Sequence, residues 1–168
     1  YEQMIEKIGV IGKGFVGTAV VHGFTCEPSF NAQIKVYDKK PDLCTHSLKQ
    51  TINESDFIFI SVPTPSNLDG SINTDILHDL LIEIDKQYND GGIILIRSTV
   101  LPGTTKSLSD EFPNLRLVFN PEFLTERNAN ADFINQSRII LGGPISLTEQ
   151  VAILYKKRFG SSIPIIHS

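Results

Sequence analysis

The stretch Ile8-Gly-Val-Ile-Gly12-Lys-Gly14-Phe-Val-Gly17 decides the fold. An apolar run leads into the glycines and a helical pattern leads out of them. In that context G-x-G-x-x-G is a dinucleotide-binding fingerprint rather than a chance triplet. Gly12 permits a tight turn. Gly14, with no Cβ, lets the backbone approach a pyrophosphate, and Gly17 lets the helix lie close on the strand. Helix-start N–H groups then face the phosphates, where the helix dipole favours negative charge. An ordinary strand-turn-helix is the bland alternative for the triplet alone. Asp38 weighs against it: it lies 21 residues beyond Gly17 and closes a second strand-like run, Gln33-Ile-Lys-Val-Tyr-Asp38. A carboxylate there accepts from ribose hydroxyls and repels a 2′-phosphate, so NAD is expected over NADP. Lys39 and Lys40 follow as either a solvated turn or a site tolerant of phosphate.

Working outward, strand and helix patterns alternate to the end of the chain. Strands are expected at about 7–11, 34–37, 57–62, 93–97, 115–119 and 138–141, with a seventh near 163–166. Helices are expected at about 14–24, 47–52, 74–87, 102–111, within 120–137, and at 147–158. The run Phe57-Ile-Phe-Ile-Ser-Val62 reads as a strand buried on both faces, as parallel sheets require. In the helix beginning near Thr74, residues Ile76, Leu77, Leu80, Leu81 and Ile84 share one face. Such alternation implies an α/β fold: a doubly wound parallel sheet, Rossmann-like, with helices on both faces and one domain over residues 1–168. Ligands then sit beyond the carboxyl ends of the strands.

Three further segments fall on that rim. Ser61-Val62-Pro63-Thr64-Pro65 follows the third strand; its prolines either fix a binding backbone or merely end the strand. Arg97-Ser98-Thr99 follows the fourth; its hydroxyls meet a ligand or cap the next helix. Asn120-Pro-Glu122-Phe123-Leu124-Thr-Glu126 follows the fifth. Its two carboxylates, four apart, either act on a substrate or bind its hydroxyls, or are surface glutamates favoured by a helix dipole.

Composition narrows the classes. With 168 residues, 40% hydrophobic and 20% charged, the chain is globular. A net charge of −4 and a pI near 5.5 argue against a nucleic-acid partner. No apolar run approaches the ~18–20 residues needed to span a bilayer, and no leader pattern opens the chain, so a cytoplasmic protein without a membrane partner is expected. Cys26 and Cys44 lack metal-ligand spacing and read as free thiols, so no metal is expected. His22, His46, His78 and His167 are scattered and none is assigned a catalytic role.

The rim segments, in this order, resemble the UDP-glucose/GDP-mannose dehydrogenase family, in its N-terminal NAD-binding domain, over nearly the whole chain. The matching pieces are Gly12–Gly17, Val62-Pro-Thr-Pro65 with Asp69-Gly70, Ser98-Thr-Val100 with Pro102-Gly103, and Asn120-Pro-Glu-Phe-Leu124 with Ala129 and Asp132-Phe133. The last is the specific one. The resemblance implies two successive NAD-dependent oxidations that turn a nucleotide-sugar C6 alcohol into a carboxylate, through a cysteine thiohemiacetal and thioester. It implies cofactor contacts at Gly12, Lys13, Gly14, Phe15, Val16, Gly17, Asp38, Val62, Pro63, Thr64, Ser98, Thr99 and Glu126. It makes Glu122 the catalytic-site glutamate and Thr99 the residue that positions a water. Glu122, Phe123 and Leu124 would meet the UDP- or GDP-linked substrate.

Departures from the pattern are equally visible. The family's nucleophilic cysteine lies on a later helix and domain, which this chain is expected not to contain. Neither Cys26 nor Cys44 matches its motif. The segment between the second and third strands is short. Leu43 stands where a basic residue is frequent, and Arg127 where a glycine is usual. The chain is therefore expected to bind NAD but not to turn over alone, and to be monomeric where the full enzyme is dimeric. The alternatives are a non-catalytic NAD module working with another chain, or the NAD domain of a β-hydroxyacid-type dehydrogenase.

Overall fold

The computed structural model describes residues 6–12, 14–26, 30, 32–62, 67–71, 73–89, 91–97, 104–121, 127–135, 138–160 and 162–167, leaving aside the side chains of Phe15, Thr104 and Thr105. Alternation of apolar side chains builds its centre. Along β3 (Phe57–Ile60), Phe59 faces one layer while Ile58 and Ile60 face the other. Along β4 (Ile93–Ile96), Ile93 and Leu95 oppose Ile94 and Ile96 in the same way. A strand alternates with period two, so a run apolar at every position must be covered on both sides. β1 (Glu6–Ile11), β2 (Ala32–Tyr37) and β5 (Leu117–Phe119) complete a five-stranded sheet of order β2-β1-β3-β4-β5. All four pairings are parallel, with Ile8 opposite Phe57 and Phe57 opposite Ile93.

The two layers follow from the same alternation. One is formed by α1 (Phe15–Thr25), α5 (Ala129–Ile134) and α6 (Ile145–Phe159), through Val20, Phe24, Phe133, Val151 and Tyr155. The other is formed by α2 (Leu48–Asn53), α3 (Asp75–Gln87) and α4 (Thr104–Glu111), through Ile52, Leu77, Leu81, Ile84 and Leu108. Local chemistry sets the helix starts. Ser47 and Gln50 cap α2 reciprocally, the Ser47 hydroxyl accepting from the Gln50 N–H and the Gln50 amide oxygen from the Ser47 N–H. Asn73 Oδ1 accepts the Asp75 N–H at the start of α3 (2.9 Å).

The seven strands do not all join one sheet. The parallel sheet takes only the first five strands. β6 (Ile139–Leu141) and β7 (Ile165–His167) form their own parallel pair, joined to the main sheet where Gly142 and Phe119 exchange both backbone hydrogen bonds in antiparallel sense. The helix between β5 and β6 has six residues, about 9 Å of rise. It packs against α1 rather than carrying the chain back to the start of the sheet. A 3-10 turn, Pro41–Leu43, follows β2.

The α1–α5 contact leaves no tolerance at Gly23. A Cβ there would fall on the buried Phe133 ring, which cannot retreat because Phe24 and Phe159 pack on it. Gly23→Ala gains about 1 kcal/mol of helix propensity, yet overpacking is expected to win by about 1–2 kcal/mol. A lowered urea midpoint at unchanged m would show this; a raised midpoint would mean that α1 and α5 separate freely.

Candidate functional site

Parallel strands bring their carboxyl ends to one edge, so the residues that follow them converge. Gly12 follows β1, Asp38 follows β2, Ser61 and Val62 follow β3, Arg97 follows β4, and Asn120 follows β5. The strand order reverses between β1 and β3, and a crevice opens at such a switch point. Gly12 sits there at φ +87, in the left-handed region, and its N–H donates to Tyr37 O (2.9 Å). A Cβ on Gly12 would overlap the Ser61 carbonyl oxygen, and one on Gly17 would overlap the Gly12 carbonyl oxygen. The two strand ends and α1 therefore touch backbone to backbone.

Gly14 differs from both. Among the described residues, a Cβ there would meet nothing within 4 Å. Gly14 is also the N-cap, with no side-chain cap and no acidic residue in the first turn. The first N–H groups of an eleven-residue helix thus have no capping side chain at its positive end. Nearby, Ser61 Oγ is buried without a hydrogen-bond partner. These features fit a dinucleotide whose pyrophosphate occupies the space before Gly14.

Asp38 lies one strand over and is half-buried. Its Oδ1 accepts the Lys40 N–H (2.9 Å), which turns the chain sharply after β2. Lys39 and Lys40 are exposed. Val16 and Val62 are half-buried beside the crevice. The structure therefore brings Gly12, Gly14, Val16, Gly17, Asp38 and Val62 to one rim. Lys13, Pro63, Thr64, Ser98, Thr99, Glu122, Phe123, Leu124 and Glu126 lie outside the described residues, as does the Phe15 side chain. Beyond β3, Asp69 Oδ1 accepts from the Ser71 N–H (3.0 Å) and hydroxyl (2.6 Å), and these bonds hold its carboxyl below the usual range. Among the described residues no cluster of three or more His, Cys, Asp or Glu side chains is placed to hold a metal, and no helix is long and apolar enough to cross a membrane.

One group on the rim had not been singled out from sequence. Arg97 is 1% exposed, and its Nη1 donates to Asn120 Oδ1 (2.7 Å) and to Tyr155 Oη (3.0 Å). Tyr155, fully buried on α6, donates its own hydroxyl to Asn120 Oδ1, and Asn120 Nδ2 donates to Ile140 O (3.0 Å). Burial raises the Tyr155 phenol above its usual range while the guanidinium pulls the other way. The phenol remains a donor. Nε and Nη2 of Arg97 have no hydrogen-bond partner, and the guanidinium lies 5.4 Å from the centre of the Phe133 ring. The signal was present in sequence: an arginine directly after Ile-Ile-Leu-Ile, a strand apolar on both faces, has only the interior to enter.

Comparison with known proteins now decides the family. Residues 24–158 match the model of the UDP-glucose/GDP-mannose dehydrogenase family, NAD binding domain. The chain belongs to this family. The matched span begins beyond Gly17, so the assignment does not rest on the glycine fingerprint. A UDP-glucose 6-dehydrogenase of Rickettsia conorii is 29% identical over 89% of this chain and 41% of its own length. One from Campylobacter jejuni is 34% identical over 67% of this chain and 29% of its length. The chain thus spans well under half of these relatives. A solved UDP-glucose dehydrogenase from Pyrobaculum islandicum superposes with a TM-score of 0.79 at 21% identity, over 99% of this chain and 46% of its own. That likeness bears out the fold, and the family description bears out NAD.

The buried network should be separable by mutation. Tyr155→Phe leaves Asn120 Oδ1 and Arg97 each short of one partner and is expected to cost about 1–3 kcal/mol in urea unfolding. A phenol raised in the native state adds stability that is complete below about pH 10 and is lost as pH rises through the folded value. The variant should therefore lose Tyr155's share of the alkaline decline. Unchanged stability at both pH 7 and pH 11 would show that the hydroxyl is not part of the network.

Proposed function

We propose that this chain holds NAD in the β1–β3 crevice and serves as the cofactor-binding part of a nucleotide-sugar 6-dehydrogenase. The reading rests on one observation above the others: an uncapped helix start at Gly14, where no described residue stands within 4 Å of a Cβ, beside the close backbone contacts at Gly12 and Gly17. NAD supplies the hydride acceptor. The chain supplies binding and orientation. Gly12 and Gly17 bring β1, β3 and α1 together so that the first N–H groups of α1 meet the pyrophosphate. Asp38 accepts from the adenosine ribose hydroxyls and disfavours a 2′-phosphate. Family resemblance assigns Val62, Pro63, Thr64, Ser98 and Glu126 to the cofactor's surroundings and Thr99 to positioning a water. It assigns Glu122 to the reacting sugar carbon, and Phe123 and Leu124 to the nucleotide sugar.

The complete reaction, on this reading, oxidises the C6 alcohol of a UDP- or GDP-linked hexose to a carboxylate. Its covalent step needs a cysteine that neither Cys26 nor Cys44 provides. Cys26 follows α1 beside Arg158, and Cys44 is turned to the backbone of Asp38. Assayed by itself, the chain should bind NAD without oxidising UDP-glucose or GDP-mannose, and should run as a monomer.

Calorimetric titration with NAD and NADP tests the reading. Saturable binding with NAD preferred is expected, and Asp38→Ala should weaken NAD about tenfold or more by removing charge-assisted hydrogen bonds. Gly14→Ala should keep the melting temperature of the unmodified chain, because no described residue stands within 4 Å of its Cβ, while NAD binding falls by a similar factor. Gly17→Ala should instead unfold the chain earlier. A folded chain with no affinity for NAD, or a Gly14→Ala variant with full affinity, would sink the proposed placement.

A further inference from the structure

β2 is the edge of the main sheet, and the residue that follows it, Asp38, carries the carboxylate assigned to ribose. An edge strand has no partner on its outer side, so something else must hold this corner. The chain returns to do so. After the 3-10 turn Pro41–Leu43, residues Cys44–His46 run back along β2. Thr45 N–H and His46 N–H both donate to Val36 O (2.9 and 3.2 Å), and the Val36 N–H donates to Thr45 Oγ1 (2.9 Å). Two residues further along β2, a single thiol does the same for Asp38. Cys44 Sγ accepts the Asp38 N–H (3.1 Å) and donates to the Asp38 carbonyl (2.9 Å). Asp38 Oδ1 meanwhile accepts the Lys40 N–H inside the loop that the thiol closes.

We propose that Cys44 is a positioning residue for Asp38, and through it for the preference of this site for NAD over its 2′-phosphorylated form. This rests on the assignment of Asp38 to the ribose. The thiol takes the place of a strand partner, satisfying both backbone polar groups of the residue whose side chain faces the cofactor. A carboxylate that must meet two ribose hydroxyls at once tolerates little rotation of its own backbone, since hydrogen bonds weaken steeply off line. Cys44 is half-buried and is not in a disulfide. Thiol bonds are individually weak, so the effect is one of aim more than of stability.

Two substitutions separate the thiol's hydrogen bonds from its bulk. Cys44→Val keeps an apolar side chain of similar size and loses both bonds; Cys44→Ser keeps a donor and an acceptor. Titrated with NAD and with NADP, Cys44→Val should weaken NAD about threefold to tenfold, the worth of one or two hydrogen bonds, with NADP changed less and the ratio of the two narrowed. Cys44→Ser should stay within about twofold of the unmodified chain. In the Asp38→Ala background the Cys44→Val effect on NAD should vanish, which a purely structural contribution would not do. Melting temperatures identify any variant that fails to fold, and Cys44→Ala then replaces it. Wild-type affinity and ratio in Cys44→Val, equal losses in Val and Ser, or a full loss persisting without Asp38 would each overturn the proposal. If the unmodified chain does not bind NAD, or Asp38→Ala binds it normally, the parent reading fails and this one with it.

Discussion

Everything on the rim depends on how closely two backbones approach at the end of β1. Gly12 leaves no room for a Cβ against Ser61 at the end of β3, and Gly17 leaves none against Gly12. Three elements, β1, β3 and α1, are thereby held at contact distance without an intervening side chain. A side chain at either position would push α1 away from the sheet, and the helix start at Gly14 would no longer lie over the switch point. The cost of such a junction is conformational, since glycine loses the most freedom on folding. It is offset by the core that closes on both sides of β1, through Ile8 and Val10 on one face and Ile11 on the other. The cofactor crevice and the hydrophobic centre are thus one construction seen from two ends.

On the far side of the rim the constraint is polar. Burying a guanidinium is expensive unless it is hydrogen-bonded, and Arg97 meets Asn120 and Tyr155 through Nη1 alone. The donor sequence runs one way, from Arg97 through Tyr155 to Asn120 and on to the Ile140 carbonyl. It ties the ends of β4 and β5 to α6 and to β6. Asn120 is the first residue of the Asn-Pro-Glu-Phe-Leu segment, and Arg97 immediately precedes Ser98-Thr99. The network therefore fixes the roots from which both segments depart. Networks of this kind specify one arrangement more than they add stability, which suits residues that must hold a site in place.

The parts legible in sequence were those governed by periodicity. α3 falls at Asp75–Gln87, within a residue of expectation, and Leu77, Leu81 and Ile84 on its shared apolar face are buried. The glycine turn, the five parallel strands and the two helical layers follow from the same rules. Where one element borrows its partner from another, the pattern carried no mark. Cys44 and Thr45 lining the edge of β2 leave no apolar alternation to read, because they pair through side chains rather than a ladder. The separation of β6 and β7 from the parallel sheet depends on where α5 packs, which is a matter of Phe133 meeting Gly23 and Phe24 across distant sequence. Much of the candidate chemistry, from Thr64 through Thr99 to Glu122 and Glu126, rests on resemblance alone.

This division explains why likeness of fold outlasts likeness of sequence here. At 21% identity the chain still superposes on the Pyrobaculum islandicum enzyme with a TM-score of 0.79. Alternating apolar residues and a few unsubstitutable glycines suffice to set the sheet, and many sequences satisfy them. The same sheet consequently serves unrelated reactions, and function has to be argued from the rim. In this chain the rim divides at β3. Toward β2, backbone geometry and one carboxylate make up the proposed dinucleotide site. Toward β5, a buried cation anchors the segments that would face a substrate. The first half is a matter of space and backbone donors and survives wide divergence. The second depends on particular side chains, and there Arg127 departs from the family pattern.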